Sequence, residues 1–375
     1  MQICNARIVT TDEEFTGTVR IEDGRFTEVT RHAVPDAGED WGGDWLLPGL
    51  VELHTDNLEK HFSPRPGVTW PAIPAVVAHD SQLASSGITT VLDALAIGDA
   101  SPRGTRREHF RNMRDAISDA RSQGLLRVDH HLHLRCELSS GGVNEIFREL
   151  ADDKSLALVS LMDHTPGQRQ FTDLSKYREY FQGKYALSNS EMDEYAALQL
   201  HNQKLHSDAN RRAIVDHCRA EGIALASHDD ATPEHVTQAA LEGVVISEFP
   251  TTLAAASAAR SQGLAILMGA PNVVRGGSHS GNISALELAR EGLLDILSSD
   301  YVPASLLHSA FLVHEKAGWS LPEAVALVSH KPAIHSGLSD RGTIAPGKRA
   351  DFLRVRIGGG APNAVAVWRQ GQRIF

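Results

Sequence analysis

Eight short apolar runs alternate with longer segments that can form helices, and this alternation restricts the fold more than any other feature of the sequence. The predicted strands lie at 49–54, 88–95, 128–137, 156–164, 223–228, 244–249, 264–268 and 294–300. Apolar strands that alternate with helical segments are typical of βα units, in which helices cover a parallel sheet. Eight such units predict an α/β fold, the TIM (β/α)8 barrel.

The two ends of the chain have a different pattern, of short strands with alternating apolar and polar residues. The turn Asp23-Gly24 separates two such strands near the start, and the turn Gln370-Gly371 separates two near the end. The chain has 375 residues, more than the roughly 250–300 at which a single core stops growing. We therefore expect one large domain and a smaller one, with β-rich chain ends.

Two helix starts support the βα units. Thr232 precedes Pro233 as an N-cap residue would, and Ser320 with Glu323 fits a capping box. The segment 165–221 is too long for one ordinary helix. We expect it to contain two helices, or an inserted loop, near the face that carries the active site.

Composition restricts the possible partners. The net charge of −11 disfavours nucleic acid, because lysine and arginine drive binding to duplex phosphates. A small anionic substrate needs only local positive charge and stays compatible. No signal peptide is evident, no run approaches the ~20 apolar residues of a membrane span, and three scattered cysteines imply no disulfide framework. We expect a cytoplasmic protein without a membrane partner, and leave homo-oligomerisation open.

Residue types that bind metal ions close most of the predicted strands, where a TIM barrel places its catalytic groups. In chain order they are His54, Asp56, Glu137, His164, His228, Glu248 and Asp300. A lone His-x-Asp pair is a weak signal, although a spacing of two puts both side chains on one strand face. The joint occurrence is harder to attribute to chance, and imidazole with carboxylate suits zinc, manganese or iron. We expect these side chains to meet around bound cations.

Two motifs that bracket the predicted barrel resemble those of the amidohydrolase superfamily. Residues 47–54 (LPGLVELH) are similar to its first-strand signature, and residues 342–352 (GTIAPGKRADF) are similar to its C-terminal signature. The resemblance covers essentially the whole chain. It implies a small β-sandwich domain built from 1–47 and 345–375, and a metal-dependent barrel domain at 48–344.

Further segments resemble one branch of that superfamily, the diphosphatases of phosphonate catabolism that serve the carbon–phosphorus lyase pathway. They are 54–61 (HTDNLEKH) with 64–67 (PRPG), 226–230 (ASHDD), 248–252 (EFPTT), 268–272 (MGAPN), 275–282 (RGGSHSGN) and 298–301 (SSDY). The resemblance implies hydrolysis of a ribose 1-phosphonate 5-triphosphate to the 5-phosphate, with release of diphosphate. Hydrolysis of a C–N bond, by a deacetylase or deaminase, is the alternative. A barrel that has lost its metals is a third possibility, disfavoured by the retained set of ligand residues.

The resemblance also implies roles at the strand ends. It implies a centre of two divalent metal ions, whose ligands are His54, Asp56, Glu137 and His228. It also implies that Asp300 is a ligand and the general base. His164 is either a further ligand or a substrate contact, and Glu248 stands about where a sixth-strand ligand is expected. Most members have histidine in place of Asp56, and many have a carboxylated lysine in place of Glu137, so the number of ions is left open.

A diphosphate leaving group needs cations and N–H donors where its negative charge develops. Two segments supply such groups, and the candidate substrate-binding residues are Lys60, His61, Arg65, Arg275, Ser278, His279 and Ser280. A polyanion site needs the cationic, glycine-rich loop at 275–282, whereas an amidase or deaminase needs a more apolar pocket.

Other polar residues are given ordinary roles. His131 and His133 share a strand face with Glu137 and are expected to pack inside the barrel or to support ligands. Glu59, Asp229 and Asp230 are expected to be solvated, and Arg103, Arg106 and Arg107 to form a charged surface.

Overall fold

The computed structural model describes residues 1–31, 38–65, 67–98, 106–171, 174–278 and 281–375. The strands are β1 (Gln2–Val9), β2 (Glu14–Glu22), β3 (Arg25–Thr30), β4 (Glu39–Asp40), β5 (Trp45–Pro48), β6 (Leu50–Thr55), β7 (Ile88–Ile97), β8 (Asp129–Glu137), β9 (Leu156–Met162), β10 (Ala224–His228), β11 (Ile246–Glu248), β12 (Ala265–Gly269), β13 (Ile296–Ser298), β14 (Phe352–Gly358), β15 (Ala361–Arg369) and β16 (Gln372–Arg373).

The helices are α1 (Asn57–Phe62), α2 (Ala72–Ser85), α3 (Arg106–Ser122), α4 (Val143–Leu150), α5 (Leu174–Tyr185), α6 (Asn189–Glu221), α7 (Pro233–Leu241), α8 (Leu253–Ser261), α9 (Ala270–Arg275), α10 (Ala285–Arg290), α11 (Ser305–Ala317), α12 (Leu321–Ala326) and α13 (His330–His335). A short 3-10 helix spans Arg169–Phe171. Within the described ranges, no helix combines the length and apolar character that crossing a membrane would need.

The chain folds as two compact units. The first contains Met1–Asp93, Ala116–His131 and Met268–Phe375, and the second contains Ala94–Asp115 and Leu132–Leu267. The domain boundaries predicted at residues 47 and 345 stay a prediction.

Both ends of the chain enter one sheet, which lies in the first unit. Its strand order is β16-β15-β14-β5-β1-β2-β3, with β4 beside β1. Asp23 and Gly24 join β2 to β3 with φ values of 48° and 74°, the left-handed pair that a tight hairpin turn requires. On the buried side, the rings of Phe352 and Trp368 stack 4.8 Å apart. The β-rich ends predicted from the alternating pattern are confirmed.

Eight parallel strands form the second sheet, in the order β6-β7-β8-β9-β10-β11-β12-β13. Each strand therefore neighbours the next one along the chain. In the first unit β13 also returns to β6, through a bridge between Thr55 and Asp300 that nearly closes the sheet. The predicted TIM barrel is confirmed, and all eight predicted strands are present with ends shifted by a few residues.

The second unit contains the long segment after β9. It forms the 3-10 helix, α5 and the 33-residue α6, so the prediction of two helices is confirmed. Phe171, Tyr177, Phe181, Met192 and Tyr195 pack into one buried cluster within this segment. The predicted helix start at Thr232 is also present, since its side chain accepts from the backbone N–H of His235.

Candidate active site

In the first unit, the end of β6 is joined by backbone hydrogen bonds to the residue that follows β13. Asp300 N donates to His54 O at 3.0 Å, and Asp56 N donates to Asp300 O at 3.1 Å. Thr55 Oγ1 donates to the same Asp300 carbonyl at 2.7 Å. Asp300 also has a φ of 53°, which residues other than glycine rarely adopt. The three predicted metal ligands of this unit, His54, Asp56 and Asp300, are therefore held together by their own backbone.

Glu52, from the first-strand motif, holds the ends of β6 and β13 together through hydrogen bonds to its carboxylate. It is fully buried, and its carboxylate accepts from His54 N at 2.7 Å and from Ser299 N at 2.6 Å. Ser298 Oγ is a third donor to it. Burial raises the pKa of Glu52, while these hydrogen bonds act in the opposite direction. The acidic residue of the motif thus links the two strand ends.

The carboxylate of Asp56 fits a bound cation. Its Oδ1 is withdrawn from solvent and has no hydrogen-bond partner among the residues that the structure describes. Asp56 stands at the N-cap position of α1 but makes no side-chain capping bond. A buried carboxylate oxygen without a partner is costly, and a metal ion would remove that cost.

Two predicted substrate-binding residues of the first unit lie on α1. Lys60 donates a hydrogen bond to the carbonyl of Tyr301, beside Asp300, and its Nζ lies 5.0 Å from the centre of the Tyr301 ring. His61 Nε2 lies 2.9 Å from Gln82 Oε1. Lys60 is therefore close in the fold to Asp300, whereas His61 contacts α2.

The remaining predicted substrate-binding residues lie after α1, or at the end of α9 and just beyond it. Arg65 and Arg275 are both exposed, Arg275 at the end of α9, and Ser278 is half-buried. His279 and Ser280 lie outside the described residues.

The second unit brings Glu137, His164 and His228 together with Asp229. His164 Nδ1 lies 2.7 Å from Glu137 Oε2, and its Nε2 lies 3.7 Å from Asp229 Oδ2. His228 Nε2 lies 3.5 Å from the same Asp229 oxygen. Ligand atoms of His164, His228 and Asp229 all lie within 4.8 Å of one another, as a metal site requires. Asp229 has a φ of 55°, the left-handed region where functional residues are often held.

Glu248 lies beside this group and is fully buried. Its Oε2 accepts from Ser160 Oγ at 2.5 Å and lies 3.2 Å from His228 Nδ1. His133 Nε2 lies 3.9 Å from Glu248 Oε1 and also contacts Ser160 Oγ. His133 thus approaches Glu248, a predicted metal ligand, whereas from the sequence it is expected to pack inside the barrel or to support ligands.

The charges in this group are strongly coupled. Burial lowers the pKa of His164, but the carboxylates of Glu137 and Asp229 outweigh it and raise that pKa to about 9. Burial likewise raises the pKa of Glu137, and His164 brings it below its usual value. For His228, burial is the main cause of a lowered pKa. A bound cation would take the place of these protons, because metal binds the deprotonated forms.

The expectation that Asp229 and Asp230 are solvated is wrong. Asp229 is 6% exposed and Asp230 is fully buried. Asp230 accepts from Ser247 Oγ at 3.1 Å and pairs with Arg169, which also donates to the His228 carbonyl at 2.9 Å. The signal that could have indicated Asp229 is its position directly after a ligand-type histidine at a strand end.

A separate buried group in the first unit joins α2, β7 and β8. His79 Nε2 lies 2.8 Å from Asp93 Oδ1, and His130 Nδ1 lies 2.7 Å from Asp93 Oδ2. Asn57 Nδ2 donates to His79 Nδ1 at 3.0 Å, so that Nε2 must carry the proton. His130 Nε2 faces Asp80 Oδ1 at 3.3 Å. Ligand-type atoms of His79, Asp93 and His130 lie within 4.8 Å of one another, and each ring nitrogen faces a hydrogen-bond partner in this structure.

Comparison with known proteins identifies related sequences. The model of the amidohydrolase family matches residues 45–374. The α-D-ribose 1-methylphosphonate 5-triphosphate diphosphatase of Escherichia coli (strain K12) is 50% identical over 380 residues, an alignment that covers 100% of both chains. A dihydroorotase of Methanopyrus kandleri is 33% identical over 101 residues, which cover 22% of this chain and 23% of the relative.

Solved structures share the fold. N-acetylglucosamine-6-phosphate deacetylase from Thermotoga maritima matches with a TM-score of 0.60 and 17% identity, over 100% of this chain and 99% of the other. The 5-methylcytosine deaminase from Klebsiella pneumoniae matches with a TM-score of 0.65 and 13% identity, over 100% and 98%. At such identities the likeness concerns the fold alone.

Proposed function

This chain belongs to the amidohydrolase family, and from that premise we propose that it is a diphosphatase of phosphonate catabolism. It hydrolyses ribose 1-phosphonate 5-triphosphate, in which the phosphonate carries an alkyl group. Water adds across the phosphoanhydride between the α and β phosphoryl groups, so that one P–O bond forms and one breaks. The products are the 5-phosphate and diphosphate, and the reaction serves the carbon–phosphorus lyase pathway.

One observation carries the proposal. The chain is 50% identical, from end to end, to a relative named as the diphosphatase for ribose 1-methylphosphonate 5-triphosphate.

The three cysteines of this chain are free and buried, which agrees with the cytoplasmic location expected from the sequence.

Two groups of side chains are suited to divalent cations, and we assign them as the ligands. One group, in the first unit, is His54, Asp56 and Asp300, and the other, in the second unit, is Glu137, His164, His228 and Glu248. Support comes from the unpartnered Asp56 Oδ1 and from the ligand atoms of His164 and His228, which lie within 4.8 Å of each other and of Asp229. We propose two ions of zinc, manganese or iron. Such ions supply an activated water at neutral pH and stabilise negative charge on phosphoryl oxygens.

Asp300 is the proposed general base. Its backbone is fixed by His54, Thr55 and Asp56, so its carboxylate is held close to the proposed ligands of the same unit. In this role Asp300 accepts the proton that the attacking water loses. The ammonium group of Lys60 contacts the ring of Tyr301, the residue after Asp300, and a positive charge at this place favours a polyanionic substrate.

No feature of the described site favours hydrolysis of a C–N bond over the proposed reaction. The deacetylase and the deaminase share the fold at 17% and 13% identity, and fold does not choose between reactions.

The test is an assay of metal-reconstituted protein with ribose 1-methylphosphonate 5-triphosphate, in which diphosphate and the 5-phosphate are both quantified. Nucleoside triphosphates serve as comparison substrates. We expect diphosphate release with the phosphonate substrate to exceed that with nucleotides. The variant Asp300→Asn should lose about 10²- to 10⁴-fold in kcat, while the exposed Asp12→Asn should match the wild type.

Release of single phosphates, or equal rates with nucleoside triphosphates, would contradict the proposed substrate. Near-normal turnover by Asp300→Asn would contradict the assignment of the base.

A further inference from the structure

Arg135 lies on the strand face that carries metal-ligand residue types in the second unit. Side chains alternate along β8, so His133, Arg135 and Glu137 point to one face. The register places Arg135 opposite Ser160 of β9, whose hydroxyl donates to Glu248. Arg135 is thus a cation within the row of residues that surrounds the proposed ligands of this unit.

Among the described residues, no carboxylate lies within ion-pair distance of the Arg135 guanidinium, although its positive charge helps to lower the pKa of Asp229, which burial alone would raise. The Nε of Arg135 is withdrawn from solvent and has no hydrogen-bond partner among the described residues. Two other arginines, which are buried in the same unit, differ in this respect. Arg169 pairs with Asp230, and Arg211 Nη1 lies 2.9 Å from Glu242 Oε2. A buried guanidinium nitrogen without a hydrogen-bond partner is costly, and an anionic ligand would remove that cost.

The carboxylates on this face already have other partners. Glu137 pairs with His164 at 2.7 Å, and Glu248 accepts from Ser160 and faces His228. The charge of Arg135 nevertheless reaches this group. Burial lowers the pKa of His228, and the positive charge of Arg135 acts in the same direction.

We propose that Arg135 binds a phosphoryl group of the substrate beside Glu137 and His228, and so makes the site selective for polyanions. This inference rests on the proposed function, which supplies a triphosphate as the ligand. A planar guanidinium can donate two parallel hydrogen bonds to two oxygens of one phosphoryl group. Arg65 and Arg275 are exposed, whereas Arg135 is partly withdrawn from water, where such bonds are stronger.

The test measures the binding of inorganic diphosphate to metal-reconstituted, full-length protein by isothermal titration calorimetry. Arg135→Met removes the charge and keeps an apolar side chain. We expect its dissociation constant for diphosphate to rise about tenfold or more, the size expected for a hydrogen bond to a charged group. The KM for the triphosphate should rise in parallel. Arg148→Met, an exposed arginine of α4 in the same unit, is the matched control and should bind like the wild type.

A purely structural role predicts a different result. Arg135→Met would then lose metal, measured by elemental analysis, or unfold at a lower temperature, while its folded fraction would bind diphosphate normally. Arg135→Lys covers the case in which the methionine variant does not fold. Lysine keeps the charge but cannot donate the paired bonds, so a several-fold weaker affinity at full metal content supports the inference, and an unchanged affinity overturns it.

Failure of the proposed function can be recognised separately. If the wild type releases no diphosphate from the ribose phosphonate triphosphate, the substrate is wrong, yet the affinity of diphosphate still decides whether Arg135 binds phosphoryl groups.

Discussion

His130 is held as an imidazolium because each of its ring nitrogens faces a carboxylate oxygen. Its partners are Asp93 and Asp80, which lie in β7 and α2 of the first unit, and all three side chains are buried. Burial lowers the pKa of His130, but the two carboxylates outweigh it and raise that pKa to about 9. Burial raises the pKa of Asp93, and His130 with His79 brings it well below its usual value. The group therefore stabilises the unit only in a limited range of pH.

The sign of the pH dependence follows from these directions. Because the pKa of His130 is raised above the ordinary histidine value of 6.5, its contribution to stability is complete below pH 6.5 and is lost as the pH rises through about 9. We expect the free energy of unfolding in urea to fall between pH 6.5 and 9.5. Asp93→Asn should lower it by about 3 kcal/mol at pH 6.5 and should flatten its decline above that pH.

The exposed Asp119→Asn of α3 is the control for charge and should leave both the stability and its pH profile unchanged. An Asp93→Asn variant that kept the wild-type decline would show that His130 does not titrate as described.

At the scale of single residues, the sequence predicted types and positions better than partners. Glu137 and His228 could be predicted because strand ends meet at one edge of a barrel, which is a consequence of topology. Asp229 and Arg135 could not, because burial and hydrogen-bond partners depend on which side chains pack against them. The contacts of His130 have the same origin, since Asp80 and Asp93 lie 50 and 37 residues away in the chain.

At the scale of elements, α6 and the 3-10 helix before α5 hold the ends of β9 and β10. Arg169, in the 3-10 helix, pairs with Asp230 and donates to the carbonyl of His228. Gln203, in α6, donates to Asp163 at 3.1 Å. The sequence predicted two helices or a loop in this segment, but helix length alone does not show which strand ends such helices contact. These bonds give the segment a supporting role for the proposed ligands of the second unit.

Arg169→Met tests this role of the inserted segment. It should lower the free energy of unfolding by about 3–5 kcal/mol, because it leaves the buried Asp230 carboxylate without its cationic partner. The metal content of the variant should also fall, since Arg169 positions the His228 carbonyl. Arg178→Met, which removes the exposed ion pair with Asp193 in α5 and α6, should cost less than about 1 kcal/mol.

Equal destabilisation by the two arginine variants, measured by urea unfolding, would contradict this difference between the buried and the exposed pair. If a folded Arg169→Met protein kept the metal content of the wild type, the inserted segment would have no role in supporting the metal site.

At the scale of the whole molecule, the architecture was the part most open to prediction. The eight barrel strands are apolar and separated by helical segments, and the β-rich ends alternate with period two, so both patterns are local in sequence. The short strands β11 and β13 are the least regular. Phe249 directly follows β11, and Asp300 lies two residues after β13. Both have a left-handed backbone conformation, which ends the extended strand. Such backbone is set by the surrounding fold and has no pattern of its own in the sequence.

Metal ions should also determine how stable the whole chain is, because a ligand that binds only the folded state shifts the unfolding equilibrium. Protein stripped with a chelator should melt at a lower temperature than protein reconstituted with zinc, manganese or iron(II). At a free metal concentration of 100 times the dissociation constant, the gain is about 2.7 kcal/mol per site. Asp56→Asn should shrink this shift, since Asp56 Oδ1 has no protein partner among the described residues that could replace the cation. Scanning calorimetry measures the melting temperature, and elemental analysis measures the metal content. An unchanged melting temperature after complete metal removal would contradict a contribution of the ions to stability.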